Sequence, residues 1–175
     1  MKYVFAILLA LFYLQGSISG QVLWLKTSYG MTPKEVQQAV PGTVVPKDPE
    51  QLSGNAVEGM RLENYPVVGR PFLVRFFFQA GKLTDVMLEG PKEESSAAYL
   101  ATFDALTDVL RSKYGVESSK KRQDEPGFLL FESKWIDGKT DIDLLLTSAG
   151  DASSGQVTYL NLTYSTSLSK EAEKL

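Results

Sequence analysis

The chain has 175 residues, 43% of them hydrophobic and 22% charged, with 18 bases against 21 acids and neither cysteine nor histidine. That is enough for one globular domain plus a targeting segment. The missing residues exclude disulfides, thiolate nucleophiles, thiolate metal sites, a lipidated-cysteine anchor and a Ser-His-Asp triad, so an enzyme here would have to work with Asp, Glu, Lys, Tyr, Ser or Thr.

Met1-Lys2 supplies a short positive start, and residues 3–14 are an unbroken apolar run. Gln15-Gly16 ends the run, and Ser17-Ile18-Ser19 puts small residues where signal peptidase reads. A membrane span needs about 20 apolar residues, and this run is too short. The expectation is a signal peptide over 1–19, a single domain over 20–175, and a periplasmic or secreted protein with no stable membrane anchor after cleavage. Loss of Lys2 leaves 17 bases against 21 acids. Phosphate neutralisation needs a basic patch, so no nucleic-acid partner is expected. Export without cysteine fits a bacterial periplasm. Asn161-Leu162-Thr163 matches the glycosylation sequon, and its alternating context argues for a structural role instead.

Leu23 and Trp24 read as a short strand or as core packing. Thr32-Pro33-Lys34-Glu35 then has the form of a capping box with proline at the first helical position. Val36, Ala39 and Val40 follow at helical spacing, Met31 is placed as a staple, and Pro41-Gly42 stops the helix after about two turns. Residues 43–55, rich in Pro, Gly, Asp and Ser, form a long loop and a candidate partner-binding segment. Beyond it the period changes to two. A weak strand over 57–65 and a turn over 66–71 lead to a strong strand over 72–79, with Phe72, Val74, Phe76 and Phe78 on one face and Phe77 also assigned to the core. Ala80-Gly81 turns the chain into a return strand carrying Leu83, Val86 and Leu88, which completes an antiparallel meander.

Tyr99, Phe103, Leu106, Leu110 and Tyr114 make one apolar helical stripe, closed by Gly115. Residues 116–127, with Lys120-Lys121-Arg122, read as a solvated loop. A strand over 128–136, a type I′ turn at Asp137-Gly138 and a partner strand over 139–147 follow. A flexible turn over 148–155, an alternating strand over 156–166 and a charged tail end the chain. The order helix, three strands, longer helix, three strands predicts an α+β fold. It would consist of two helix-plus-three-strand antiparallel units, the sheet carrying its helices on one face.

The helix opening Tyr29-Gly30-Met31-Thr32-Pro33-Lys34-Glu35-Val36 resembles that of small exported bacterial α+β domains, namely the outer-membrane assembly lipoproteins of the SmpA/OmlA type and proteins like the β-lactamase inhibitor protein. Lys113-Tyr114-Gly115, Trp135 and the ending Leu162-Thr163-Tyr164 are similar to uncharacterised periplasmic proteins of the same layout. This chain lacks the lipidated cysteine of the first group and the disulfides of the second. The resemblance implies a binding or inhibitory module and carries over no functional residue.

Ser167-Leu168-Ser169-Lys170 and Ser118-Ser119-Lys120-Lys121 match the Ser-x-x-Lys pattern of acyl enzymes, but the companion motifs are absent. Gly138-Lys139-Thr140 has Ser133 where a phosphate loop needs its first glycine. Asp141 and Asp143 share a strand face, with Glu132 and Asp137 near in sequence, and read as the solvent side of a half-exposed strand. Trp135, beside the Asp137-Gly138 turn, reads first as cover for the end of the core, since Trp is usually largely buried, and otherwise as an exposed anchor; with Asp137 and Lys139 at the adjoining turn it is the candidate partner-binding surface. The expectation is therefore an exported, non-catalytic binding module without metal or cofactor: an inhibitor, an immunity-type protein or an envelope accessory factor. Its partner would be another envelope or secreted protein. The alternatives are a glycan hydrolase using Glu132 with Asp141 or Asp143, and a carrier of small apolar ligands with a cavity between the sheet and the long helix.

Overall fold

The structure, a computed structural model, describes residues 20–93, 95–149 and 157–166. The expected signal peptide, most of the turn after residue 148, Ser167 with its Ser-x-x-Lys pattern and the charged tail lie outside these residues.

Strands dominate. β1 (Val22–Trp24) and β2 (Thr27–Ser28) pair as a small ribbon ahead of helix α1 (Pro33–Ala39). The meander β3 (Val57–Val67), β4 (Arg70–Gln79) and β5 (Lys82–Glu89) precedes helix α2 (Ser96–Tyr114). Four more strands follow: β6 (Ser119–Glu125), β7 (Phe128–Asp137), β8 (Thr140–Ala149) and β9 (Val157–Thr166). β3 to β9 form one antiparallel sheet in the order β3-β4-β5-β9-β8-β7-β6.

This corrects the expected pair of helix-plus-three-strand units. The second half has four strands, and β9 inserts between β5 and β8, fusing both meanders into one sheet. Among the described residues the fold is mostly β, with two helices laid on a seven-stranded sheet. The missing strand is β6, whose seven residues Ser-Lys-Lys-Arg-Gln-Asp-Glu are exposed at six positions. An edge strand solvated on both faces carries no apolar alternation, and its charges discourage pairing with another chain.

One continuous core lies between the helices and one sheet face. Phe72, Val74, Phe76 and Phe78 of β4, Leu83, Val86 and Leu88 of β5, and Leu160, Leu162 and Tyr164 of β9 supply its floor. Over the other half, Tyr99, Phe103, Leu106 and Leu110 of α2 cover Leu129, Phe131 and Trp135 of β7 and Ile142, Leu144 and Leu146 of β8. Phe103 meets Phe131 edge-on at 6.0 Å, and Arg122 of β6 lies 4.8 Å above the Phe131 ring. The helix ends match the sequence reading. The Thr32 hydroxyl accepts from the Glu35 amide at 3.4 Å, and Glu35 Oε2 accepts from the Thr32 amide at 2.7 Å. Ser95 caps α2, and Gly115 closes it at φ 82°.

Three bulges set which side chains face the core, one of them between Leu62 and Tyr65 of β3. Leu83 and Val86 are three apart yet both point inward, because Phe77 pairs with Asp85 while Phe78 pairs with Leu83, leaving Thr84 as the extra residue. Gly59 does the same in β3, sending Glu58 to one face and Met60 to the other. A Cβ at Gly59 would stand 2.7 Å from the Phe78 ring.

In the seven-stranded sheet, four of the described hairpins turn on two residues each. Val68-Gly69 (φ 45° and 75°) and Ala80-Gly81 (φ 48° and 74°) are both left-handed throughout, as type I′ requires. Residues 66 and 67, expected in a turn, continue β3. Pro126-Gly127 has the sequence and the positive φ at glycine of type II. The last turn departs from the expected I′ at Asp137-Gly138. Asp137 pairs with Thr140, so the central residues are Gly138-Lys139, with the positive φ on Gly138 as in type II′. Val68 is a β-branched residue in the left-handed region, a conformation that costs about 1–2 kcal/mol for an L-residue. Val68→Asn is expected to raise unfolding stability by about 1 kcal/mol, read as a higher urea midpoint at unchanged slope. A lowered midpoint would show that the Val68 side chain contributes more by packing than it costs in strain.

Candidate functional site

The sheet face turned away from the helices is the far face. Its side chains come from the alternate positions of each strand, and antiparallel register aligns them in rows. One row runs Lys134, Asp143, Thr163, Met87, Arg75, Arg61 from β7 to β3. A neighbouring row runs Glu132, Leu145, Asn161, Glu89, Leu73.

At the β3–β4 end, residues 43–56 fold over this face. Val44 exchanges backbone hydrogen bonds with Arg61, and the Glu58 amide donates to the Glu50 carbonyl at 2.8 Å. Beneath lies a buried ionic cluster. The Glu58 carboxylate, fully buried, accepts from Arg61 Nε at 2.8 Å, Arg75 Nη1 at 3.0 Å and the Glu50 amide at 3.1 Å. Arg75 also donates to Glu89 at 2.8 Å and pairs with Glu50 at 2.9 Å. Burial by itself would push the Glu58 carboxyl up. The bonds from Arg61 and the Glu50 amide, with the Arg75 charge, outweigh it and hold the group below the usual carboxylate range. The loop read as a partner-binding segment thus has an internal role: it straps the β3 edge and roofs this cluster.

Beside the strap is a hollow of about 280 Å³. Its floor crosses β5, β9 and β8, with Met87, Thr163, Asn161, Asp143 and Leu145 central, and residues 52–54 form one wall. Two buried oxygens in it, Asp143 Oδ1 and Asn161 Oδ1, have no hydrogen-bond partner among the described residues. The other Asp143 oxygen takes Lys134 Nζ at 3.0 Å, and the same ammonium reaches Glu132 Oε1 at 2.8 Å. The Glu132 bond, and after it Asp143, raises the Lys134 pKa against the opposing effect of burial.

Trp135, read either as core cover or as an exposed anchor for a partner, lies on the core face and is 1% exposed. Its Nε1 donates to the Gly115 carbonyl at 3.0 Å, so the side chain ties β7 to the end of α2. Burial denies it any contact with a partner. Asp137 and Lys139 are exposed at the hairpin, where the Asp137 carbonyl accepts from Gln21 Nε2 at 3.4 Å. The structure therefore separates the tryptophan from the two charges. Glu132 and Asp143 do converge, but on a shared lysine, which takes one oxygen of each. Among the described residues no group of three acids is arranged to hold a metal. The space between α2 and the sheet is filled by Phe103, Leu106, Phe131, Trp135 and Leu144, each buried. Met87 carried no sequence signal beyond being an outward position of an alternating strand, and Asn161 and Thr163 stood out only as the ends of a glycosylation sequon. Nothing in the sequence said that β5 and β9 would be neighbours.

No protein-family model, no curated protein and no solved structure matches the chain.

Proposed function

We propose that the chain is a non-catalytic binding module, exported to the periplasm or secreted, which docks another envelope or secreted protein on its far sheet face. The observation that carries this reading is the asymmetry of the sheet. Both helices cover one face, whereas the far face over β5, β9 and β8 is left open beside the strap, with polar and apolar side chains mixed. Met87 and Leu145 are partly exposed there, and Tyr159 is 53% exposed. Mixed surfaces of this kind, holding aromatic and Met side chains within a polar rim, suit protein partners. The acids nearest to one another are taken up by Lys134, Arg61 and Arg75, which argues against acid–base work. The apolar run over 3–14 with its small-residue ending supports export.

Photo-crosslinking in cells tests the reading. A photoreactive residue at Thr163 is expected to give a discrete protein adduct, on a chain whose mature N-terminus is Gly20. The same residue at Asp108, on the exposed side of α2, is expected to give none. Equal labelling from both positions, or none from Thr163, would remove the far face as the docking surface.

A further inference from the structure

The hollow on the far face has a chemical bias. Its polar lining holds two carboxylates, Asp85 and Asp143, the amides of Asn161 and Gln79, and the hydroxyls of Thr163 and Ser165, but, among the described residues, no basic side chain. The bases flanking it are already engaged: Arg75 with Glu50, Glu58 and Glu89, and Lys134 with Glu132 and Asp143. Asp143 and Asn161 sit on the neighbouring strands β8 and β9, one register step apart on the same face, since Asp143 pairs with Thr163 and Leu145 with Asn161. Strand spacing of about 4.8 Å puts such diagonal neighbours within reach of one planar group. Each carries an oxygen shielded from solvent and without a donor among the described residues. A buried acceptor left unpaired is destabilising, and an incoming donor would relieve that cost.

Building on the docking reading, we propose that this hollow receives one arginine side chain of the partner protein. The guanidinium fits for three reasons. It carries several N–H donors in a rigid plane and no acceptor, which complements paired oxygens. It is weakly hydrated and enters a half-buried site at lower cost than an ammonium. Its methylene stem lies against apolar surface, which Met87 and Leu145 provide. One Asp143 oxygen holds Lys134 and the other receives the guest, so the incoming charge does not have to break the existing pair.

The test uses the full domain, isotope-labelled, titrated with N-acetyl-arginine amide. Backbone resonances of Asp143, Asn161 and Thr163 are expected to shift saturably, more weakly with N-acetyl-lysine amide and not at all with N-acetyl-norleucine amide. Asp143→Asn is expected to weaken arginine-amide binding about tenfold, the scale of a charge-assisted hydrogen bond. Asn161→Leu leaves the Lys134 pair intact and serves as a second variant should the first perturb folding; it too is expected to weaken binding. Absence of shifts, or equal shifts with all three amides, overturns the proposal. Adducts from the Thr163 probe together with a silent arginine titration would sink the arginine pocket alone. Arginine binding without such adducts would instead leave the pocket standing and remove the docking reading.

Discussion

Replacing Trp135 by alanine is expected to lower unfolding free energy by about 3–5 kcal/mol, the range found for removing a large aromatic from a packed core. Trp135 is among the largest fully buried side chains and lies at the end of the stripe covered by α2. Alanine there leaves a cavity between β7 and the helix and strips the Gly115 carbonyl of its indole donor. Trp135→Phe separates the two effects. It keeps most of the volume and loses the hydrogen bond, and should cost less than alanine. Urea unfolding followed by circular dichroism gives both numbers. A loss below about 1 kcal/mol for the alanine variant would show that the site collapses or fills with solvent cheaply, against the packing described.

The second large effect is expected at Arg75. Arg75→Ala leaves the Glu58 carboxylate buried and short of one of its two cationic partners, and removing one member of a buried ion pair costs about 3–5 kcal/mol. Because Arg75 also holds Glu50 of the strap, faster amide exchange over residues 44–58 should accompany the loss. The same cluster makes stability depend on acid. The Glu58 carboxyl titrates lower in the folded than in the unfolded chain. The unfolded chain therefore takes up the proton first as pH falls below the ordinary glutamate value of about 4.3, and stability drops from there down through the folded value. Above that window the contribution is fully present. Glu58→Gln should flatten this acid limb. A limb unchanged in the glutamine variant would assign the acid sensitivity to other carboxylates.

Much of the local structure was legible in the sequence. The capping box at Thr32 and Glu35, the five-residue stripe on α2 and the alternation of β4 each rest on a short-range rule, and each is found where the rule puts it. What failed was long-range or unpatterned. β6 is wet on both sides and left no period to read. The join of β5 to β9 spans most of the domain and depends on which edges meet, which no local propensity encodes. The far-face hollow inherits that difficulty, since its floor is assembled from three strands distant in sequence. Trp135 stood between two readings. Its place beside a turn left an exposed anchor open next to a core role, and residue parity along β7 decides for the core, sending it inward with Leu129, Phe131 and Ser133.

The position of β9 has a consequence for how the domain comes into being. Each meander closes through neighbouring hairpins and needs only local chain, but each also ends on an unsatisfied border, β5 on one side and β8 on the other. Among the described strands, the one that seals both borders comes last in the chain. Without it, β5 and β8 would each present an unpaired edge, and the apolar surface beneath α2 would be incompletely covered. Assembly is thus weighted towards its final step, and the slow, distant pairing that limits such topologies falls on ten residues.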